Sequence, residues 1–253
     1  MNLAKKSAIA VVAGLAVFAT LGEASSSGDA NSAGSSAAVE SAAAGESAAS
    51  GDMSTDMGAD ETAAAAEARS DAWYTDEFGS FEAFTEKGRG DGVVKLPAGA
   101  EVGLVTASHK GDSNFAISAL DDGNQSTGDL LVNTIGNYKG VTAFGLSSLG
   151  NPAAKFQVTA DGPWTITVEP LSSAPALTIP AKGKGDAVFR YDGPAADWNV
   201  THKGDSNFVL WQNGTDWMPN LAVNEIGNYK GTVPMSGGPS IVAVSADGAW
   251  SIS

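Results

Sequence analysis

Cysteine is absent from the 253 residues of this chain, and histidine occurs only twice. Without cysteine there is no disulfide, no thiolate metal site and no cysteine nucleophile, so the folded part must be stabilised by packing and hydrogen bonds. Basic residues are also few, with 14 Lys and Arg against 29 Asp and Glu. An acidic chain with no basic stripe repels phosphate backbones, and we therefore expect no nucleic acid partner.

The chain also lacks a long apolar run. Its most apolar stretch, residues 8–21, is shorter than the ~20 residues that a membrane-spanning helix needs. That stretch follows a Lys-Lys pair and precedes the small residues Gly22 and Ala24, which is the pattern of a secretory signal. We predict a signal peptide over residues 1–24, with an uncleaved anchor as the alternative. The expected localisation is secreted, extracellular or in the cell envelope, with no membrane span after cleavage.

Aromatic and β-branched residues are nearly missing from residues 25–71, which consist mostly of Ala, Ser, Gly, Asp and Glu. Such a composition cannot bury enough apolar surface to offset the entropy of ordering, so we predict a disordered acidic linker. Five aromatic residues then occur within residues 71–84. We expect this cluster to pack at the edge of a folded domain, as a lid or a first strand, because exposed large apolar groups are uncommon. A recognition peptide is the alternative.

An internal duplication organises the rest of the chain. HKGDSNF occurs at residues 109–115 and again at residues 202–208, and three further blocks recur around it in the same order. These are GRGDGV and GKGDAV, LLVNTIGNYKG and LAVNEIGNYKG, and ADGPWTI and ADGAWSI. A repeat of this kind predicts two homologous domains. We place them at residues 72–170 and 183–253, joined by a short Pro-containing linker at residues 171–182.

Inside each repeat the apolar residues alternate, as in FAISA, KFQVTA and WTITV. Period two over short runs that are bounded by Gly, Asp, Asn and Pro indicates half-buried strands. The repeats show no helical periodicity. The predicted fold is therefore all-β, with two tandem homologous antiparallel β-sandwich-like domains after the disordered linker.

The four blocks resemble a tandem domain of uncharacterised secreted or envelope proteins of Actinobacteria. The resemblance rests on HxGxSNF, LxVNxIGxYxG and ADGxWxI, and it covers nearly all of residues 72–253. It implies the fold and the location, and it carries no activity. The repeat-signature residues, to which we assign structural roles, are His109, Asp112, Asn114, Phe115, Asn133, Gly136, Tyr138, Trp164, His202, Asp205, Asn207, Phe208, Asn224, Gly227, Tyr229 and Trp250.

The sequence contains no evident catalytic or metal-binding constellation. One His in each repeat gives no zinc cluster, because a zinc site wants three or four protein ligands. Ser113 and His109 are four residues apart on an extended segment, which is too far for a nucleophile and its base. Asp residues beside Gly recur in both copies and are typical of turns. We therefore expect no enzyme, no cofactor and no metal, and a hydrolase using clustered Asp residues is only a remote alternative.

The segment DDGNQSTGD, at residues 121–129, resembles a calcium loop at first sight. It lacks the spacing and the terminal Glu of an EF-hand, and the second copy has QNGTDWMPN instead. We favour an acidic hairpin loop, with calcium binding as the alternative.

Three tryptophans distinguish the second repeat from the first. Trp198, Trp211 and Trp217 correspond to Val105, Ser118 and a polar loop. Exposed Trp often contacts sugars or apolar partners, and packing at the domain interface is the alternative. We predict a non-catalytic secreted or cell-envelope binding module for a glycan, a wall polymer or a protein, with these tryptophans as the contact. The alternative function is a structural surface spacer or a self-associating protein.

Overall fold

The structure of the chain, a computed structural model, describes residues 70–146, 151–214 and 219–253. The predicted signal peptide, nearly all of the predicted acidic linker and Trp217 lie outside these ranges. Within them, no helix is long and apolar enough to cross a membrane. One α-helix (α1, residues 70–78) precedes the first strand.

Eight strands form the first domain. They are β1 (Phe84–Arg89), β2 (Gly92–Lys95), β3 (Gly103–His109), β4 (Asn114–Leu120), β5 (Ser126–Ile135), β6 (Tyr138–Phe144), β7 (Lys155–Thr159) and β8 (Pro163–Pro170). All their pairings are antiparallel. They make two sheets, which we call 1A, in the order β1-β8-β3-β6, and 1B, in the order β2-β7-β4-β5.

Eight more strands form the second domain, after a short 3-10 turn at Leu171–Ser173. They are β9 (Ala181–Lys184), β10 (Ala187–Tyr191), β11 (Ala196–Lys203), β12 (Asn207–Asn213), β13 (Asn220–Ile226), β14 (Tyr229–Met235), β15 (Ser240–Ala246) and β16 (Ala249–Ile252). Sheet 2A has the order β9-β16-β11-β14 and sheet 2B the order β10-β15-β12-β13, which repeats 1A and 1B strand for strand. The prediction of an all-β chain with two similar antiparallel domains is confirmed.

Alternating side chains build the core of each domain. In β4, Phe115, Ile117 and Ala119 are buried while the residues between them are partly exposed. Their partners across the sandwich include Ile166 of sheet 1A, which is also fully buried. Burying an aliphatic or aromatic side chain contributes about 1.5–3 kcal/mol. A core of this kind holds each domain without disulfides.

The Trp of each ADGxWxI block packs on the Gly-rich start of its own domain. Trp164 lies across Gly88, where an added Cβ would be 2.1 Å from the indole ring. Its Nε1 donates a 2.8 Å hydrogen bond to the carbonyl of Gly90. Trp250 lies across Gly183 in the same way. Glycine is required at these positions because the ring occupies the space of a side chain.

A third apolar cluster joins the two domains. Strand β6 of sheet 1A lies against β10 and β15 of sheet 2B. The buried members of the cluster come from α1, the linker and both domains, and they are Tyr74, Leu104, Leu146, Leu171, Ala174, Val188, Ile241 and Ala243. Trp73 and Phe78 pack on it from α1. The aromatic residues before the first repeat therefore pack, as expected, but those from 73 to 78 do so on a helix.

Polar contacts fix the position of one domain on the other. The hydroxyl of Tyr138 donates a 2.7 Å hydrogen bond to Oδ2 of Asp186, and the N–H of Val141 donates one of 3.1 Å to the Asp186 carbonyl. Burial, together with the charge and hydrogen bond of Asp186, raises the pKa of Tyr138 above its usual value. The homologous domains are therefore held by specific bonds as well as by apolar contact.

Tyr74 of α1 fastens the helix to the second domain. Its hydroxyl lies 3.0 Å from the carbonyl oxygen of Ser240 and 3.2 Å from that of Tyr191, and it is 3.1 Å from Oδ1 of Asp192. Burial, and then the charge of Asp192, raise its pKa above the usual value. The helix precedes the first domain in sequence but is bonded to the second.

Candidate functional site

Each domain holds its single histidine in the same buried setting. His109 stacks on Phe115 with ring centroids 4.5 Å apart, and its Nδ1 donates a 2.8 Å hydrogen bond to the carbonyl of Gly136. Its Nε2 lies 3.2 Å from Oδ1 of Asp161. His202 repeats this arrangement in the second domain. Its ring centroid is 4.5 Å from that of Phe208, its Nδ1 is 2.8 Å from the carbonyl oxygen of Gly227, and its Nε2 is 3.4 Å from Oδ1 of Asp247. Both ring nitrogens face oxygen atoms of the same domain, so the histidines have a structural role.

Asp161 joins the turn of the HKGDSNF block to the loop of its own ADG block. Its Oδ2 accepts the N–H groups of Asp112 and Ser113 at 2.9 and 3.0 Å. The N–H of Asp112, and then that of Ser113, hold the pKa of this carboxyl below its usual range. The N–H of Gly136 donates to the carbonyl of Ser113 at 2.8 Å. The same bonds recur around Asp247, so each domain ends in turns that are fixed against each other.

The side chains on these fixed turns and on the adjacent strand ends are exposed. In the first domain they are Asp112, Ser113, Asn114, Asn133, Ile135, Asn137 and Lys139. In the second domain the equivalent exposed residues are Asp205, Ser206, Asn207, Asn224, Ile226, Asn228 and Lys230. All seven positions carry the same residue type in both domains. We call each set a tip patch.

The side chains of the tip patches make no hydrogen bond or ion pair within the described residues. Ile135 and Ile226 are 74% and 77% exposed. Among the described residues, none of the six Asn side chains in the two patches makes a hydrogen bond. The residue between the patch Asn and the patch Ile differs between the domains, since Thr134 corresponds to Glu225. Each patch is therefore a repeated set of unused donors and acceptors beside an exposed aliphatic group, which suits a polar partner.

The structure does not bring the three tryptophans together at a surface. Trp198 is 1% exposed, and it packs edge to face with Tyr191 in the core of the second domain, with ring centroids 5.0 Å apart. The expectation that Trp198 contacts a ligand is wrong, because its position in β11 points inward. Trp211 is half-buried against the cluster between the domains. Packing at the domain interface was the alternative to ligand contact for this residue. The prediction for Trp217 lies outside the described residues.

A surface depression of about 480 Å³ lies on the second domain, along β9, β11 and β16. Lys182, Lys203, Thr201 and Ser251 line it. The aromatic residue at its base is Trp250, which is buried. The depression therefore offers ammonium and hydroxyl groups but no exposed ring on which a sugar could stack.

Hydrogen bonds within the acidic segment that begins after β4, and from that segment to neighbouring segments, hold it in place. Asp121 accepts the N–H of Gln125 through Oδ1 and the side-chain amide of Asn151 through Oδ2, both at 2.8 Å. Asp129 accepts the N–H of Gly145 at 2.8 Å. In the part of the chain that the structure describes, no three His, Asp or Glu residues are grouped as a metal site requires. The geometry agrees with a hairpin loop.

The repeat signature contains both buried and exposed residues, which the sequence did not separate. His109, Phe115 and Trp164 and their counterparts are buried, and they have the structural roles assigned to them. The Asp and Asn members belong instead to the tip patches. The signal that separates them is strand phase: Asn114 and Asn133 occupy outward positions, where an identical residue in both copies has no packing explanation.

Comparison with known proteins gives no family. No family model matches the chain, and no curated protein matches it. A conserved protein of unknown function from Pseudomonas aeruginosa PAO1 aligns with 67% of this chain and 78% of its own, at 9% identity and a TM-score of 0.23. The alignment with the stem and receptor binding domain of the spike protein P1 from bacteriophage PM2 covers 68% of this chain and 78% of that one, at 14% identity and a TM-score of 0.11. Similarities at this level carry no functional argument.

Proposed function

We propose that the chain is a non-catalytic binding module of the cell exterior, which holds a glycan or wall polymer through its two tip patches. The observation that carries this proposal is the identity of the two patches. Core and turn residues recur in a duplicated chain because packing and backbone geometry require them. Asn114, Asn133 and Ile135, with their counterparts, occupy outward strand positions and recur without either requirement. A ligand common to both domains explains their identity.

The chemistry of a tip patch fits a hydroxyl-rich ligand. Each Asn side chain has two donors and one acceptor, so it can bond a hydroxyl in either direction. Ile135 and Asn114 are directly opposite on β5 and β4, which places an apolar contact beside an amide. The bonds from Asp161 hold the turn before any ligand arrives, which lowers the entropic cost of binding.

Two identical patches in one chain favour a ligand that repeats. A polymer that presents the same group many times engages both patches, and the second contact then forms intramolecularly at high effective concentration. Such binding gains affinity without any deep pocket. A glycan or wall polymer has this repetition, which is why we place it ahead of a single protein partner.

The absence of catalysis in this proposal rests on the buried histidines and the bonded carboxylates. The ring nitrogens of His109 and His202 face Gly136, Asp161 and their counterparts. Asp91 accepts the N–H of Ala160 at 3.0 Å and is part of a turn.

The part of the proposal that concerns export rests on the sequence of residues 1–24 alone.

The experiment measures retention of the full chain on purified cell-wall polymer and on a glycan array. Three variants are compared: Asn133→Ala/Ile135→Ser in the first patch, Asn224→Ala/Ile226→Ser in the second, and the combination of both. All four changes are at exposed positions, so we expect the circular dichroism spectrum to be unchanged. Loss of retention in the combined variant supports the proposal.

Two controls make the result specific. Glu225→Ala alters a residue between the patch Asn224 and Ile226 that is not repeated, and it should bind as the wild type does. Trp211→Ala tests the tryptophan hypothesis separately. Full retention by the combined patch variant, or no retention of the wild type on any polymer, would overturn the proposal.

A further inference from the structure

The contact between the two domains joins different faces of homologous units. The first domain contributes the outer face of sheet 1A, through β3 and β6, and the second contributes the outer face of sheet 2B, through β10 and β15. Sheet 2A is the homologue of 1A, and sheet 1B is the homologue of 2B. Because the contact joins two different faces, the second domain keeps an uncovered copy of the first domain's contact face, on sheet 2A. The first domain likewise keeps an uncovered copy of the second domain's contact face, on sheet 1B.

We infer that the chain associates head to tail with a second copy of itself. The outer face of β11 and β14 in the second domain of one copy docks on the outer face of β2 and β7 in the first domain of the next. We call the first surface the donor face and the second the acceptor face. Their contact repeats the geometry that already joins the two domains within one chain.

The hydrogen-bonding groups of the internal contact are retained at both free ends. Within the chain, Tyr138 donates to Asp186. On the donor face, Tyr229 lies over Gly231 as Tyr138 lies over Gly140, and among the described residues its hydroxyl makes no hydrogen bond.

The carboxylate that accepts the hydrogen bond is also retained, on the acceptor face. Asp91 accepts the N–H of Ala160 through Oδ1, just as Asp186 accepts the N–H of Ala246. The other carboxylate oxygen of Asp186 accepts the hydrogen bond from the Tyr138 hydroxyl. The corresponding oxygen of Asp91 makes no hydrogen bond within the described residues. The two unused groups are therefore those that the internal contact joins.

An exposed apolar side chain lies on the acceptor face. Val93 is 55% exposed, whereas its homologue Val188 is 2% exposed in the cluster between the domains. The two are aligned by the GRGDGV and GKGDAV blocks and by their strand pairing, Val93 with Gln157 and Val188 with Ala243. Docking of a second copy would bury Val93 as the internal contact buries Val188.

Charged side chains replace two buried apolar residues on the free faces. On the donor face, Asp197 occupies the position of the buried Leu104. On the acceptor face, Lys155 occupies the position of the buried Ile241, while Lys95 keeps the positive charge of Arg190. Charged ends keep a repeat protein soluble. Because these two positions are apolar in the internal contact, the association between chains is weaker than that contact.

The tip patches stay available in such an assembly. Ile226 lies on the same outer face of sheet 2B as the internal contact, yet it remains exposed, because the contact uses the β10 and β15 side of that sheet. The homologous Ile135 would remain exposed for the same reason. Head-to-tail association therefore multiplies the tip patches without covering them.

Sedimentation velocity of the full chain over a range of protein concentrations tests the inference. We expect the average mass to rise with protein concentration. Val93→Arg blocks the acceptor face and Thr232→Arg blocks the donor face with bulk and charge. Both positions are exposed, and circular dichroism verifies the fold.

Mixing the two blocked chains distinguishes this assembly from a symmetric dimer. Each blocked chain alone is expected to stay monomeric. The mixture has one intact donor face and one intact acceptor face, so it should form a complex of one copy of each. The doubly blocked chain should stay monomeric in every mixture and still bind through its tip patches. A monomeric wild type at all concentrations, or association of a blocked chain with itself, would refute the inference.

Discussion

Tyr138 donates a 2.7 Å hydrogen bond from the first domain to Oδ2 of Asp186 in the second, whereas its homologue Tyr229 has no hydrogen-bond partner among the described residues. The chain thus contains the same tyrosine in the same motif with and without a partner. The same substitution at both positions therefore compares a tyrosine that has the hydrogen bond with one that lacks it.

Tyr138→Phe should lower the free energy of unfolding by about 1–3 kcal/mol, because it removes a hydrogen bond to a charged group at a partly buried site. Tyr229→Phe should change it by less than about 0.5 kcal/mol. Urea denaturation at a protein concentration where the chain is monomeric measures both. Equal effects of the two substitutions would show that the internal hydrogen bond does not stabilise the domain pair.

Tyr74 is expected to be the main attachment of α1. Tyr74→Ala should cost about 3–5 kcal/mol, since it leaves a large cavity in the cluster between the domains. Tyr74→Phe should cost less, about 1–3 kcal/mol, because only the bonds to Tyr191, Asp192 and Ser240 are lost. Thermal unfolding gives the ranking, with the exposed Glu77→Ala as the control. An alanine variant as stable as that control would contradict the role of the helix.

Acid should weaken the turns that support the tip patches. The N–H groups of Asp112 and Ser113 lower the pKa of Asp161, and for Asp247 the N–H groups of Asp205 and Ser206 outweigh the opposing effect of burial. A carboxyl whose pKa is lower in the folded chain stabilises the fold at neutral pH. That stabilisation is lost as the pH falls below the unfolded value of about 4 and through the folded one.

The measurement is the unfolding free energy of the wild type and of Asp161→Asn/Asp247→Asn across this acid range. We expect the wild type to lose stability steeply below about pH 4 and the double variant to show a shallower dependence. Parallel curves would mean that other carboxylates cause the acid sensitivity.

The two tip patches should act together on a polymer and separately on a short fragment. Removing one patch should reduce affinity for immobilised polymer by about 100-fold or more, through the loss of bivalent binding. The same variant should bind a monovalent fragment with about half the capacity of the wild type and the same affinity for each site. Calorimetry with the fragment and surface retention on the polymer give the two numbers. A single-patch variant that binds polymer like the wild type would argue against bivalence.

Much of the fold followed from local patterns in the sequence. The alternation in FAISA and WTITV predicted strands, and the structure has β4 and β8 there with the expected buried phase. The duplication predicted two similar domains because homologous sequences adopt the same topology. The helix at residues 70–78 was missed as a helix, because its aromatic residues are buried against partners that are distant in sequence.

The candidate site was predicted less well, because exposure depends on strand register. Trp198 was expected at the surface, but the phase of β11 directs it into the core. Asn114 and Asn133 were assigned to the structural signature, but both are exposed. Residue type alone favoured the tryptophans as contacts, whereas the asparagines are the side chains that make no hydrogen bond among the described residues.

The sequence by itself determined the repeat, the strands and the turns, since these depend on residue type and short-range spacing. Which faces of the sheets are covered was decided only by the tertiary structure. Val93 and Val188 show this most directly: they occupy the same place in the same motif, and one is 55% exposed while the other is 2% exposed. The difference arises because the apolar surface around Val188 is buried by a neighbouring domain, and no local pattern in the sequence records which domain lies beside which.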